Sequence, residues 1–517
     1  MIVIATIWGN PVRRQRGSTG YAFAAQSAYH AQTCTGVWRG GGLAAVACTP
    51  HVTLLPVAHS PDAGASSPPS RLQPSSFPAH AGLLRVVRTI IRADSDPARQ
   101  TLFAHLMESR PFIRAVYQAH EYLVGTRLSA LIISLYGVAA CVRVAPPAST
   151  ARILAVASQA NARRQLREVI GWVGTAECGW LRTGTKAIGA ALVDAPAARV
   201  RPGRALATLR VIRAVDRRHG FLVACRVASA IAWYARSLAI LRRHRPGAVM
   251  VSSEANPDEA GFVGAARVLA IPQIYASHAY PTPFSPPLDF TLSILEGEAA
   301  VRGHRRKGPI TGRILQVGLD GESAPMDAGR LERPSPSVGI FPPKAFSWDT
   351  LAAIVADCRT HVHARQIVIR WHPSMLEPPR LSEVIPDLAG IIESPREAPL
   401  SDVALQCDWV VAAENSNVHL PVMKLGIPTV VVKGLGLYPD DRADLYGFVA
   451  NGIVFPPIRA LRDLEPAAYH TFFEDGWATR FAQYDASYLR SRSEILGEVR
   501  RAVLVLAAGG DPGPSRT

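Results

Sequence analysis

The chain has 517 residues, 48% of them apolar, and a formal net charge of +16 from 56 Lys and Arg against 40 Asp and Glu. Single cores seldom grow beyond about 250–300 residues, so the length suggests two or three domains, and the apolar content excludes global disorder. The positive charge suits an anionic partner such as a phosphorylated substrate or an acidic membrane surface, although arginine and alanine bias alone would produce much of it. With aromatics at only 7%, the interleaving of arginine and exposed rings that nucleic-acid binding needs is not expected.

Residues 1–84 are rich in Ala, Gly, Ser and Pro, with runs such as DAGASSPPSRLQPSSFPAHAG, and read as a disordered leader. The apolar start MIVIATIWGNPVRRQR precedes its basic residues, the reverse of a secretory signal. The seven cysteines are scattered, with no CxxC pair and no Cys/His metal spacing, which favours a reducing cytoplasm over a disulfide framework. From about 85 to 240, apolar residues recur at helical spacing with arginine on the polar face. The longest apolar run there, LSALIISLYGVAACV (128–142), is shorter than the roughly 20 residues of a membrane span and reads as a buried helix.

Strand–helix alternation first becomes clear at GAVMVSSE (247–254), followed by a helix over 257–270 with Pro257 near its first turn and two acids at its positive end. Strands follow at 271–278, 289–295 and 313–318, which implies a parallel Rossmann-like half over 85–325, including the helical region. A polar, proline-bearing linker at 320–337 marks the boundary. A second half, 336–485, alternates again: strands at 337–342, 366–371, 407–413 and 428–434, and helices at 348–362 and 417–426. A closing helix is expected over 486–509, and 510–517 reads as a disordered tail. The fold class expected is α/β, with two Rossmann-like domains facing across a cleft and an extra helical region at the N-terminus. Ligands in such folds bind at the carboxyl ends of the strands.

Several strand ends carry polar side chains suited to that cleft. QIVIRWHPSM ends a strand in Arg370, Trp371, His372 and Pro373; the imidazole can donate to a phosphate oxygen, Arg370 adds charge, and Pro373 stops the strand. AAENSNVHLPVMKLGIPTVVV places Glu414, Asn415, Ser416 and Asn417 between a strand and a helix, so that Ser416 or Asn417 would cap the helix and leave free N–H groups for an anion. Lys344, in FPPKAFSW, sits just past the first strand of the second half. On the first half, His278 ends a strand, and a neutral imidazole there can take a proton from a hydroxyl. Glu254, Asp258 and Glu259 follow the neighbouring strand end, and any of these is an alternative base. The acids Asp440, Asp441 and Asp444 lack the DxD form of a metal site, no GxGxxG or Walker loop is present, and no metal or cofactor is expected.

His-Pro after a strand, then E-x-S-N at a helix start and a following GIPTVVV strand, resembles the C-terminal half of GT-B glycosyltransferases, most closely the bacterial capsule-polysaccharide transferases and teichoic-acid glycerophosphotransferases. The resemblance covers roughly residues 245–455. It implies a nucleotide-activated sugar donor whose phosphates are held by His372, Ser416 and Asn417, with Glu414 near the donor ribose or sugar. It also implies that a base from the first half acts on a glycan or lipid-linked acceptor. His278-Ala279 stands where the glycerophosphotransferase-like families carry His-Gly, which leaves the base open between His278, Glu254 and Asp258. The expected function is a glycosyltransferase of surface-polysaccharide synthesis, cytoplasmic and in peripheral contact with the anionic inner membrane. A polyol-phosphate transferase, a nucleotide-sugar 2-epimerase and a non-catalytic binding protein remain as alternatives.

Overall fold

The computed structural model describes residues 77–94, 111–141, 144–145, 151–183, 202–253, 255–281, 285–373, 375, 380–395, 397–437 and 444–510. All of them belong to one compact unit, Gln73–Thr517. The first half runs α1 (Phe77–Asp94), α2 (Pro111–Glu121), α3 (Arg127–Cys141), β1 (Val144–Ala145), β2 (Ile153–Val156), α4 (Ala160–Val173), β3 (Cys178–Trp180), β4 (Arg182–Thr183), α5 (Pro202–His219) and α6 (Phe221–His244). It continues with β5 (Ala248–Val251), α7 (Pro257–Val268), β6 (Gln273–Ala276), β7 (Asp289–Leu295), α8 (Glu298–Arg305) and β8 (Thr311–Gln316). Six of these strands form a parallel sheet in the order β3-β2-β5-β6-β7-β8.

Two sequence expectations are corrected here. The sheet begins at β2, not at the strand near 247, because β2 pairs with β5 from Ile153↔Ala248 to Val156↔Val251. β2 is a four-residue buried run inside a stretch read as helical, and its partner is remote in sequence. In addition, α1 begins at Phe77, inside the stretch read as a disordered leader; the rest of that stretch, like 511–517, lies outside the described residues.

Alternate strand residues face two helical layers. Ile153, Ala155, Ala248, Met250, Leu292 and Ile294 meet α4 and the last helix of the chain on one face. Leu154, Val156, Val249 and Val251 meet α7 on the other, with α6 packed outside it. The crossing of α7 and α6 is tight, since a Cβ on Gly261 would lie 2.7 Å from the Ala230 carbonyl oxygen. By length and composition α6 is apolar enough to cross a membrane, but it is the central helix here, flanked by α3, α5, α7 and α1.

The second half runs β9 (Ser337–Phe341), α9 (Trp348–Thr360), β10 (Gln366–Ile369), β11 (Ile391–Glu393), α10 (Leu400–Ala404), β12 (Trp409–Ala412), α11 (His419–Lys424), β13 (Thr429–Val431), α12 (Pro466–Glu474), α13 (Trp477–Ala482) and α14 (Arg492–Ala507). Its sheet is also parallel, in the order β11-β10-β9-β12-β13. The edge strand β11 was not read from the sequence; it is three residues long and two of them are exposed. The final helix α14 returns to the first sheet, where Gly247 leaves no space for a Cβ against the Ala507 carbonyl.

The chain therefore crosses between the halves twice, and one buried ion pair ties the crossings together. Lys424 Nζ lies 2.9 Å from Asp485 Oδ2, with side chains 1% and 0% exposed. The same ammonium donates to Leu319 O and Ser487 Oγ, both at 2.7 Å. Asp485 Oδ1 accepts from Leu319 N, Ser487 N and Ser487 Oγ at 3.0, 3.0 and 2.6 Å. Gly318, with φ +79°, passes so close that a Cβ would lie 2.2 Å from Asp485 Oδ1. The sequence suggests nothing more for Lys424 than an exposed lysine; burial makes it the bolt between the two crossings.

A second carboxylate contact lies beside the first crossing. Glu168 on α4 faces Asp320, and burial, then the Asp320 charge, push its pKa up to about 7, while Arg164 and Arg492 oppose the shift. A folded-state value above the unfolded carboxylate means that the native protein holds a proton that the unfolded chain releases between about pH 4.5 and 7. That stabilisation is present at the acid end of the window and lost as pH rises through 7. The melting temperature of Glu168→Gln is expected to vary less between pH 6 and 8 than that of the wild type, as calorimetry would show.

Candidate functional site

In each half the strand order reverses once, between β2 and β5 in the first sheet and between β9 and β12 in the second, and such switch points open crevices at the strands' carboxyl ends. In the second half, β9 leads into the loop that carries Lys344. That loop is anchored by aromatic packing: Phe346 and Trp348 lie 5.7 and 5.9 Å from Trp371, centroid to centroid. Trp371 is 4% exposed and donates its indole N–H to Glu393 Oε2 at 2.7 Å. The indole of the Arg370–Pro373 run thus belongs to the core, and it holds the charged residues on either side of it. Met375 N donates to His372 O at 3.0 Å, which closes a turn with the exposed Pro373 in its second position.

Around that turn the cations converge. The His372 imidazole is pushed down to about 4, first by burial and then by Lys344 and Arg370, so it is neutral at pH 7. Burial also lowers Lys344. Arg370 is lowered by burial and then by Arg164, which belongs to the first turn of α4 in the other half. Arg370 Nη2 reaches Ala398 O at 3.4 Å, while its Nε is buried with no hydrogen-bond partner among the described residues. A buried guanidinium donor left open, in a group where Lys344 and Arg370 both depress the His372 imidazole, can donate to an anion.

The turn after β12 departs from expectation. Glu414, Asn415 and Ser416 are 8%, 8% and 7% exposed. The helix begins at His419, not at Asn417, and runs only six residues, with Val418 at its cap. Neither Ser416 nor Asn417 caps it; Ser416 Oγ instead accepts from Val418 N at 3.4 Å, and so short a helix sums little dipole. Its entry is held by His419, whose Nε2 lies 2.9 Å from Ala413 O and Nδ1 2.9 Å from Thr429 Oγ1. Burial pushes that imidazole down to about 4 and keeps it neutral. Asn415 Oδ1 accepts from Leu445 N at 2.7 Å, which docks the 444–448 segment. Asn417 Oδ1 is buried without a partner among the described residues.

The first half contributes His278, half-buried after β6, with Nδ1 against the Ser252 carbonyl at the end of β5. That carbonyl accepts the Nδ1 proton and leaves Nε2 as the basic nitrogen. Two residues on, Tyr280 packs against Tyr446, Phe448 and Tyr484 at 6.4, 6.1 and 5.0 Å, and Phe448 in turn meets His419 at 6.1 Å. This aromatic bridge brings the His278 loop, the Asn415 turn and the second crossing into one neighbourhood.

The carboxylates expected at the first switch point are placed differently from one another. Glu254 lies outside the described residues. Asp258 is 7% exposed and Glu259 is 0% exposed, and burial raises the pKa of both. Glu259 accepts from Ser252 N at 3.0 Å, Ser253 N at 2.6 Å, Ser158 N at 3.4 Å and Asn256 Nδ2 at 3.3 Å. It therefore staples β2 to β5 across the crevice. Asp258 closes the first turn of α7, bonded to that turn's backbone and to the Ser158 side chain. Sequence reading found these acids but missed Arg164 and the clasp made by Glu259, because both depend on the unrecognised strand β2. Asp444 accepts from Val449 N and Ala450 N at 3.1 and 2.8 Å, while Asp440 and Asp441 lie outside the described residues. Among the described residues no group of three or more His, Cys, Asp or Glu is placed to hold a metal ion.

No family model and no curated protein matches the chain. Solved structures similar to it include the S. aureus MnaA–UDP co-structure, at 9% identity and TM-score 0.40 over 68% of this chain and 96% of that one. The glycotransferase of kitacinnamycin follows at 15% identity and TM-score 0.35, over 56% and 82% of the two chains. MurG of Acinetobacter baumannii matches at 12% identity and TM-score 0.29, over 52% and 72%. At these scores the class rests on the chain's own architecture: an α/β fold of two all-parallel Rossmann-like sheets, each with one reversal of strand order, joined by a double crossing. That is the two-domain organisation expected from the GT-B resemblance.

Proposed function

We propose that the chain is a nucleotide-sugar-dependent enzyme and, within that class, a glycosyltransferase that moves a sugar to a cell-surface glycan or lipid-linked acceptor on the cytoplasmic side of the membrane. One observation supports the reading: Arg370 keeps a buried Nε without a hydrogen-bond partner among the described residues, and with Lys344 it acts on the neutral His372 past the carboxyl ends of β9 and β10. A diphosphate suits this arrangement because two adjacent anionic groups match two cations, Lys344 and Arg370, that burial has already desolvated in part. Leaving-group charge would then be neutralised by side chains and no resident cofactor is needed, so chelating divalent cations should leave donor binding unchanged.

The acceptor hydroxyl would lose its proton to Nε2 of His278, which the Ser252 carbonyl holds in the required tautomer. Loss of that base is expected to lower kcat about 10²–10⁴-fold in His278→Ala, with donor affinity kept. Equal loss of donor affinity would instead assign His278 to binding. The reading as a whole is tested by calorimetry with UDP, CDP and GDP and their sugars, followed by turnover with and without a glycan acceptor. Absence of binding by every nucleotide sinks it, and turnover without acceptor would favour isomerisation over transfer.

A further inference from the structure

The apolar run read as a buried helix is buried on one side only. On the inner side of α3, Ala130 and Ile133 are buried, and Gly137 lies so close to α6 that a Cβ would stand 2.6 Å from the Ala228 carbonyl oxygen. The outer side exposes Leu128, Leu131, Ile132, Leu135 and Val138 at 54, 47, 44, 57 and 53%. These positions fall on one stripe of the helix. Tyr122, 90% exposed at the turn before α3, and Leu206, 57% exposed on the adjoining α5, are further exposed apolar side chains of the same helical region. An apolar surface of this kind is rare on a free monomer.

Charge specifies what covers it. The helices α2, α3 and α5 carry Arg114, Arg127, Arg210, Arg213, Arg217 and Arg218 against two acids, Glu121 and Asp216. Asp216 is buried and spent on Ser129 Oγ and Gly125 N, at 2.7 and 2.9 Å. Arg213 and Arg217 are held at the start of α3: Arg213 Nε donates to Gly125 O at 2.5 Å, and the Arg217 stem crowds the Gly125 Cα. Exposed leucines edged by arginines complement a layer that is apolar within and anionic at its surface. A helix of 15 residues is about 22 Å long, too short for the roughly 30 Å hydrocarbon core, so α3 would lie in the plane.

We infer that the outer face of α3, with the arginines of α2 and α5, docks the protein on an anionic lipid bilayer. The buried cluster of His120, Ser129 and Asp216, with His120 Nε2 2.7 Å from Ser129 Oγ, fixes the three helices as one rigid face. Docking needs no nucleotide and is separate from the chemistry of the cleft.

The test is co-sedimentation of the full chain with phosphatidylcholine vesicles, with and without about a third of phosphatidylglycerol, in the absence of nucleotide. Wild type is expected to pellet with the anionic vesicles, less so at high salt, and Leu131→Glu/Leu135→Glu to lose at least about tenfold in partitioning with unchanged melting. Arg127→Glu/Arg210→Glu should lose the preference for anionic lipid. As a variant that keeps the face apolar, Leu135→Trp should show a blue-shifted emission on vesicles. Failure of the wild type to pellet, or no emission shift from Leu135→Trp, overturns the proposal. So does a solution dimer that Leu131→Glu/Leu135→Glu dissociates, since the face would then belong to a second copy.

Discussion

Lys424→Ala is expected to destabilise the protein by about 3–5 kcal/mol, the usual result of leaving one partner of a buried ion pair uncompensated. The reason is local: Asp485 would keep its three donors from Leu319 and Ser487 but lose the only cation within 4 Å of it among the described residues. Because the pair joins both crossings, the loss falls on the orientation of the two halves as well as on total stability. Chemical denaturation measures the loss of stability, and nucleotide affinity of the folded variant measures the change in orientation. Replacing both partners, as in Lys424→Met/Asp485→Leu, should recover much of the stability, since an apolar pair carries no desolvation cost. A loss under about 1 kcal/mol in the single variant would show that water reaches the site.

Arg370→Ala should weaken nucleoside-diphosphate binding about 10–100-fold, as expected for a lost charge-assisted hydrogen bond of roughly 1.5–3 kcal/mol. Its fold should be little affected, because Arg370 makes one long backbone contact and no ion pair among the described residues. His372 adds a pH signature. In the free protein its pKa is depressed to about 4 by burial, Lys344 and Arg370. A bound diphosphate places negative charge beside the ring and raises that value, so the complex binds a proton that the free protein does not. Affinity should therefore rise as pH falls through the window between the bound and free values, relative to His372→Ala, which lacks the group. Calorimetry at several pH values, with the variant as baseline for the ligand's own titration, decides it; parallel pH profiles would remove His372 from the anion site.

Much of the cleft was legible because strand ends announce themselves locally. A buried run that stops on Arg370, Trp371, His372 and Pro373 has few places to go except a sheet's carboxyl edge, and the strands near 289–295, 337–342 and 366–371 fall where the apolar runs placed them. What the residues do once there was less legible. Trp371 and Arg370 are neighbours in sequence, yet one packs against Phe346 and Trp348 and the other reaches the Ala398 carbonyl and feels the charge of Arg164 from the opposite half. Ser416 looked like a helix cap because Ser often is one; the backbone delays the helix to His419, which anchors itself to Ala413 and Thr429.

By itself the sequence determined the α/β class, the two alternating halves and the polar strand ends, because short apolar runs that stop on polar residues and the 3.6-residue helical period are short-range properties of the chain. Tertiary structure decided everything that depends on partners remote in sequence. It made β2 a strand through β5, turned Lys424 from a surface lysine into a buried bolt between the two crossings, gave Glu259 a structural clasp, brought the charge of Arg164 to bear on Arg370, and left one side of α3 uncovered. Burial and charge pairing set those roles, and both are properties of what the fold places next to a side chain, not of the side chain's neighbours along the chain.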